Sequence, residues 1–290
     1  MSAASESKIF LRRVIMFVVS NSILIFDRKI FCVAFNARAA VFGWSSRLAW
    51  IETSYVVTDK RIPGFRYQIG EKKIANMSYR LGVAARGDSL AQVYFLNEID
   101  FTSGDIIIDC GANVGDLKIW FDLKRIAIDY VGFEPAPREF GFLEANVAPG
   151  TAHNAGLWHS SGELDLYVSS EGADSSYTKP KNFDQRITTK TVALESFIES
   201  NVKLVKLEAE GSEPEVLQGL GEALARVEYI AADVGPERGE NLETTVVSVT
   251  NFLLQRNFEL VSMSHSRICA LYRNKSFQSE PTLESVSPEQ

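Results

Sequence analysis

Residues 105–115 read DIIIDCGANVG, an apolar β-branched run that ends in an acid and opens into a turn with glycines at 111 and 115. Asp109 stands where such a strand would leave a sheet and face a crevice. Gly111 and Gly115, with Ala112 and Asn113 between them, let the backbone turn sharply and approach a ligand that a Cβ would obstruct. Nineteen residues beyond Gly115 comes Glu134, at the end of a second apolar run, Tyr130–Phe133. A carboxylate in that position can accept both hydroxyls of a ribose. The spacing therefore predicts a nucleotide-like cofactor. It lacks the third glycine of a G-x-G-x-x-G dinucleotide fingerprint, and no Lys-Ser/Thr pair follows Gly115 as a phosphate-binding loop would need.

A second group of acids follows a later apolar strand. Residues 202–219 read VKLVKLEAEGSEPEVLQG, which crowds Glu208, Glu210 and Glu213 together. Like charges so placed raise the pKa of at least one of them, as a proton acceptor requires. Glu213 also suits the start of a helix at Pro214, where negative charge is favoured. Asp233 ends another strand in YIAADVG. Glu210, Glu208 and Asp233 are the candidates for a general base, Glu210 first, with His159 an outsider. His153 and His265 belong to no ligand-like spacing and read as structural. A hard cation such as Mg²⁺ could bridge these carboxylates, but no spacing requires one.

The turn D-x-G-A-N-x-G, followed by a strand ending in Glu-Pro, resembles the S-adenosyl-L-methionine site of class I methyltransferases. Residues 202–219 resemble the K-I-D-x-E-G-x-E-x-x-V-L-x-G signature of the FkbM-type methyltransferases. The segment GFEPAPREFGFLEANV (132–147) is similar to that family's F-E-P-x-P stretch, and Thr188–Ile198 looks like its strand-then-"LD" segment. Together these motifs span residues 88–272. The resemblance implies methyl transfer from S-adenosyl-L-methionine to a hydroxyl of a sugar, glycolipid or other small acceptor. It further implies Asp109 and the Gly111 backbone at the cofactor's amino-acid end, Glu134 at the ribose, Asn154 and Ala155 near the adenine, and Glu208 close by. Two positions depart from the family pattern. Glu208 stands where Asp is usual, and Asp233 where Glu is usual, so each carboxylate's reach changes by one methylene.

These residues need strands to aim them. From Leu90–Ile99, a predicted helix, the chain alternates strand and helix, the pattern of a parallel sheet with crossover helices. Helices are expected over Asp116–Ile128, Arg138–Asn146, Pro214–Ala225 and Leu242–Gln255. Strands are expected at Ala152–Leu157, Leu204–Glu208, Val227–Ala232, Glu259–Met263 and Ile268–Tyr272, with further β pieces at Ser54–Thr58 and Phe65–Ile69. The last two strands are joined by a few turn-like residues, too few for a parallel crossover, so they must pair antiparallel. The expected fold is α/β, a Rossmann-like class I methyltransferase sheet, mostly parallel with a C-terminal antiparallel hairpin. Gly162–Ile187 reads as an inserted hairpin and mobile loop.

The chain has 290 residues, 46% of them apolar, enough for one α/β domain with extensions. A net charge of −7 and the lack of a dense Lys/Arg run argue against a nucleic-acid partner. Cys32, Cys110 and Cys269 match no zinc pattern and suit a reducing compartment, the cytoplasm. Residues 1–47 read as an extension, 48–274 as the methyltransferase-like domain, and 275–290 as a disordered tail. In the extension, Lys8, Arg12 and Arg13 precede the apolar run Val14–Phe26, too short to span about 30 Å of hydrocarbon as a helix. A core or lid helix, an interfacial membrane contact through residues 9–35 on the inner face, and a signal sequence are the alternatives. Two rivals stand beside the methyltransferase. A nicotinamide-dependent oxidoreductase is opposed by the missing glycine and the terminal hairpin. A non-catalytic, membrane-docked binding module is the other.

Overall fold

Ahead of the glycine turn, the chain folds into a module of its own design. In this computed structural model, which describes residues 24, 26–169, 175–264 and 267–278, helix α1 (Arg28–Val41) opens at Asp27. The Asp27 carboxylate accepts the N–H groups of Lys29 and Ile30 at 2.8 and 2.9 Å, which caps the helix. A three-stranded antiparallel meander follows: β1 (Ser46–Ile51), β2 (Ser54–Asp59) and β3 (Ile62–Ile69). Helix α1 buries Phe31, Cys32 and Phe35 against Leu48, Tyr55, Val57 and Tyr67 of this meander. The helix falls inside the extension expected over residues 1–47, yet it shares one apolar cluster with Val114 of the glycine turn and Ile119 of the helix that follows. Helices α2 (Lys72–Ser78) and α3 (Val83–Val93) then lead to the sheet. The helix expected over Leu90–Ile99 thus begins earlier and breaks at Phe95, whose φ of 59° is left-handed.

The central sheet contains β4 (Ile106–Cys110), β5 (Asp129–Phe133) and β6 (Thr151–His153), with helices α4 (Lys118–Lys124) and α5 (Pro137–Val147) between them. Next come β7 (Gly156–Trp158), β8 (Gly162–Val168) and β9 (Gln185–Ala193), which form a separate three-stranded sheet. The chain returns through β10 (Val202–Leu207), α6 (Glu213–Gln218) and β11 (Val227–Asp233). A short ribbon follows, β12 (Pro236–Arg238) with β13 (Glu243–Thr244), then α7 (Val246–Leu254), β14 (Phe258–Met263) and β15 (Cys269–Asn274). The seven central strands lie in the order β14-β15-β11-β10-β4-β5-β6. Only β15 runs against its neighbours, pairing antiparallel with both β11 and β14. The expected class I methyltransferase sheet and its terminal hairpin are both present. Strand order reverses between β4 and β10, which places the binding crevice beyond their carboxyl ends.

Several predicted elements differ at their ends for local reasons. The single strand expected over Ala152–Leu157 is two, because the chain leaves the central sheet at Asn154 and enters the smaller one at Gly156. The helix expected over Pro214–Ala225 stops at Gln218 and resumes as a 3₁₀ turn at Gly221, which has a left-handed φ of 49°. The helix after Asp116 ends at Lys124 because Arg125 is left-handed. The helix expected from Leu242 begins at Val246, since Glu243 and Thr244 pair with β12. The inserted hairpin over Gly162–Ile187 is β8 paired with β9. Its predicted mobile tip at Gly172 and Asp174, the apolar run Val14–Phe26 apart from Leu24 and Phe26, His265, and the tail beyond Gln278 lie outside the described residues. Among the described residues, no helix is long and apolar enough to cross a membrane.

Candidate functional site

Parallel register fixes the first contact of the site. Lys206 of β10 lies directly beside Asp109 of β4, and the two-residue period of a strand puts Leu204, Lys206 and then Glu208 on one face. Lys206 Nζ stands 2.9 Å from Asp109 Oδ1 and 2.9 Å from Glu208 Oε2. It also donates to the carbonyls of Cys110 and Gly111 at 3.0 and 2.8 Å. Tyr130 Oη donates to the other oxygen of Asp109 at 2.6 Å. Arg267, just ahead of β15, pairs with the far oxygen of Glu208 and with Asp233. Charges therefore alternate along Asp109, Lys206, Glu208, Arg267 and Asp233. Burial opposes the Lys206 ammonium, but the Asp109 and Glu208 carboxylates outweigh it and hold the lysine's pKa above its ordinary value. Burial likewise opposes the Glu208 carboxylate, yet Lys206 and then Arg267 bring it down to about 2.

The glycine turn is clasped by Glu134. One carboxylate oxygen accepts the Asn113 N–H at 2.9 Å and the other the Ala136 N–H at 2.8 Å. Burial nevertheless pushes the Glu134 carboxyl up to about 7, these two amides opposing it. Asn113 has a left-handed φ of 49°, and its side-chain oxygen is buried without a hydrogen-bond partner. The two glycines are required, but not to make room for a ligand. A Cβ on Gly111 would lie 2.0 Å from the Glu208 carbonyl oxygen. One on Gly115 would meet Val147 at 2.4 Å and Leu143 at 2.9 Å, in helix α5. The Gly115 carbonyl in turn accepts the Tyr67 hydroxyl of β3 at 2.5 Å.

Between this turn and helices α2 and α3 lies a cavity of about 410 Å³, within the range of small-molecule sites. Asp109, Gly111, Ala112, Asn113, Glu134, Glu208 and Glu210 line it. Four expected residues, Gly115, Asn154, Ala155 and Asp233, do not. Gly115 faces helix α5. Asn154 donates to the carbonyls of Glu134 and Pro135 at 2.9 and 3.2 Å, so it holds the Glu-Pro step instead. Gly156, Leu157 and Tyr177 line the cavity where Asn154 and Ala155 were expected. Asp233 is fully buried, with one oxygen on Arg267 and the other accepting the Gly235 N–H at 3.1 Å, which leaves it poorly placed as a base. Of the three crowded glutamates, Glu213 turns inward and accepts the Ala209 and Gly211 N–H groups and the Thr245 hydroxyl. It pins the loop after β10.

Lys206, Tyr94, Arg86, Arg267 and Glu237 also line the cavity, and the sequence alone does not mark them as site residues. Lys206 had a signal, a lone cation in an apolar strand two residues before an acid. Arg86 pairs with Asp116 at 2.6 Å, and Tyr79 donates to the same carboxylate at 3.1 Å. Against three lining cations, Arg86, Lys206 and Arg267, stand six carboxylates: Asp109, Asp116, Glu134, Glu208, Glu210 and Glu237. Acidic groups outnumber basic ones in the lining.

A seven-stranded sheet with one reversed strand near its edge, and an acid-lined cavity where strand order reverses, define the class I methyltransferases. The Methyltransferase FkbM domain model matches residues 109–271, more than half of the chain, and the protein belongs to that family. It is 30% identical over 138 residues to the hexuronic acid methyltransferase AglP of Haloferax volcanii. That alignment covers 45% of this chain and 56% of the relative, so the chain spans little more than half the length of the curated relative it matches. Among solved structures, a putative rRNA methylase from Clostridium thermocellum is similar at 15% identity and a TM-score of 0.41, covering 66% of this chain and 97% of its own. A putative tRNA methyltransferase of Streptococcus pneumoniae, solved with S-adenosyl-L-methionine, is similar at 12% identity and a TM-score of 0.37, covering 67% and 75%.

Proposed function

We infer that this protein transfers the methyl group of S-adenosyl-L-methionine to a hydroxyl on a sugar or other small acceptor. The observation that carries this is the acid-lined cavity at the reversal of strand order, closed on one side by the Asn113–Glu134 clasp. The cofactor has a sulfonium, an ammonium and a ribose diol, and six carboxylates against three cations suit that cationic, hydroxyl-rich molecule. The buried, unpartnered Asn113 oxygen is an acceptor awaiting a donor. Glu134 would take the ribose, Asp109 and the Gly111 backbone would serve the amino-acid end, and Phe133, Leu157 and Tyr177 would flank the adenine. Glu208 would lie close to the same ligand, its charge held by Lys206 and Arg267. When bound, S-adenosyl-L-methionine supplies a methyl carbon already activated by its positively charged sulfur. The protein's task is then to hold the acceptor oxygen about 3 Å from that carbon, in line with the departing sulfur. A relative named for methylating a hexuronic acid supports a sugar as acceptor.

This function implies work in the cytoplasm, where the cofactor is made. Calorimetry with S-adenosylhomocysteine, NAD and NADP, followed by a screen of sugars and hydroxylated metabolites for methyl transfer, tests it. Binding of NAD in place of S-adenosylhomocysteine would restore the oxidoreductase. Cofactor binding without transfer to any acceptor would favour a binding module, and cosedimentation of the full chain with anionic vesicles would show whether residues 9–35 dock it to a membrane.

A further inference from the structure

Glu237 is the carboxylate of the cavity that the fold leaves free. Of the six that line it, Asp109 is held by Lys206 and Tyr130, Asp116 by Arg86 and Tyr79, and Glu134 by two backbone amides. Glu208 is held by Lys206 and Arg267, and Glu210 is also engaged. Among the described residues, Glu237 alone of the six has a side chain with neither a hydrogen bond nor an ion pair, and it is half-buried.

Its backbone, by contrast, is fixed on both sides. The Glu237 N–H donates to Gly235, whose own N–H is held by Asp233. On the other side, Arg238 grips Glu215 with two bonds of 2.8 and 2.6 Å and reaches the Gly211 carbonyl. Gly211 has no Cβ because one would lie 2.5 Å from the Arg238 Cα, so the loops after β10 and β11 are locked face to face. Thr178 adds a third segment, accepting the Gly239 N–H at 3.3 Å. A free carboxylate on an anchored backbone, lining a cavity, is how a proton acceptor is built.

We propose that Glu237 is the general base of the methyl transfer inferred above, taking the proton of the acceptor hydroxyl. The acceptor O–H bond breaks and its proton passes to the Glu237 carboxylate. The oxygen's electron pair forms the new O–CH₃ bond, and the C–S pair stays on sulfur, giving neutral S-adenosylhomocysteine. The surroundings of Glu237 tune it for this. Burial raises its pKa, and Asp233 at the end of β11, Glu208 after β10 and Glu213 in α6 add to the rise, against the opposing Arg267. The result is about 8, close to a working pH.

The experiment compares the unaltered protein with Glu237→Gln, Glu237→Asp and Glu210→Gln. Affinity for cationic S-adenosylmethionine and neutral S-adenosylhomocysteine is measured by calorimetry from pH 6 to about 9.5, and turnover with an acceptor over the same range. In the unaltered protein, the preference for the cation should grow by about tenfold as Glu237 ionises, since an opposite charge nearby favours the charged carboxyl. In Glu237→Gln the part of that growth around pH 8 should vanish, leaving only what Glu134 adds as it ionises near 7, with S-adenosylhomocysteine affinity unchanged. Turnover in Glu237→Gln should fall by about 100-fold or more and lose its rise with pH, while Glu237→Asp should keep a titrating limb at a lower rate. An unchanged pH dependence of the preference in Glu237→Gln overturns the proposal, as does a loss of the limb in Glu210→Gln instead. Failure of the unaltered protein to bind either ligand rejects the methyl transfer itself.

Discussion

The cavity has two walls of different character. One comes from the ends of β4, β5 and β10, inside the stretch matched by the family model, and nearly every polar atom there is committed: Lys206 to two acids and two carbonyls, Glu134 to two amides. The other comes from α2 and α3, ahead of residue 109, and presents Ile74, Met77, Ser78 and Leu90 beside the Arg86–Asp116 pair. Met77 is 63% exposed at its rim. A wall so tightly cross-bonded has one chemistry, suited to an invariant cofactor. A wall of apolar side chains on short helices changes shape with each substitution, which suits choice among acceptors.

The contrast is broken most severely at Lys206. Replacing it with Met leaves Asp109 and Glu208 without the cation between them, and stability should fall by about 3–5 kcal/mol in denaturant unfolding. The pH dependence sharpens this. Because Glu208 is held near 2, below its ordinary 4.5, its contribution is present above about 4.5 and is lost as pH falls toward 2. The variant should show less of that acid loss, and an equal loss would mean that Arg267 alone sets the Glu208 charge.

A smaller effect is expected at Glu134. Charge-assisted hydrogen bonds contribute roughly 1.5–3 kcal/mol, so Glu134→Ala should weaken S-adenosylhomocysteine binding by about ten- to over a hundredfold. Unchanged affinity in a folded variant would remove Glu134 from the ribose. Its raised pKa, about 7, adds a stability term of opposite sign to that of Glu208: present below about 4.5 and lost as pH rises through about 7.

Tyr67→Phe tests the seam between the walls. It removes the 2.5 Å bond from the meander to the Gly115 carbonyl and should cost about 1–2 kcal/mol of stability. Least of all is expected from Met77→Ala. It should raise the KM for an acceptor by roughly three- to tenfold while leaving S-adenosylhomocysteine affinity alone. A change in cofactor affinity there would erase the division between the walls.

The same division marks what the amino-acid order revealed. The first wall was legible because its constraints are local: an acid, a left-handed turn and a second acid at fixed spacing. Gly111 and Gly115 are needed for the sharp turn the sequence implies, their φ of 66° and 82° being left-handed, but what fills their missing Cβ space is Glu208 and helix α5, both remote in sequence. From sequence alone, Asp233 at a strand end is a candidate base and Asn154 a candidate neighbour of the adenine. Only the register with β15 shows that Arg267 occupies the first, and only the split of β6 from β7 turns the second toward Pro135. The second wall left no motif at all. Its apolar residues carry no chemistry of their own, and Glu237 gains a role solely from the locking of two loops that strand order brings together.

The reversed strand bears on how such a molecule is made. Strand β15 emerges after every other described strand, yet it lies between β11 and β14 and is the sole sheet partner of β14. As the polypeptide leaves the ribosome, β11 therefore waits with an open hydrogen-bonding edge while β14 has no strand to join. Pairing with another nascent chain is the hazard of such an interval. A chain cut short before Cys269 would keep every cofactor-facing residue from Asp109 to Glu237, yet leave that edge unsealed, and its fate should be aggregation before weakened binding.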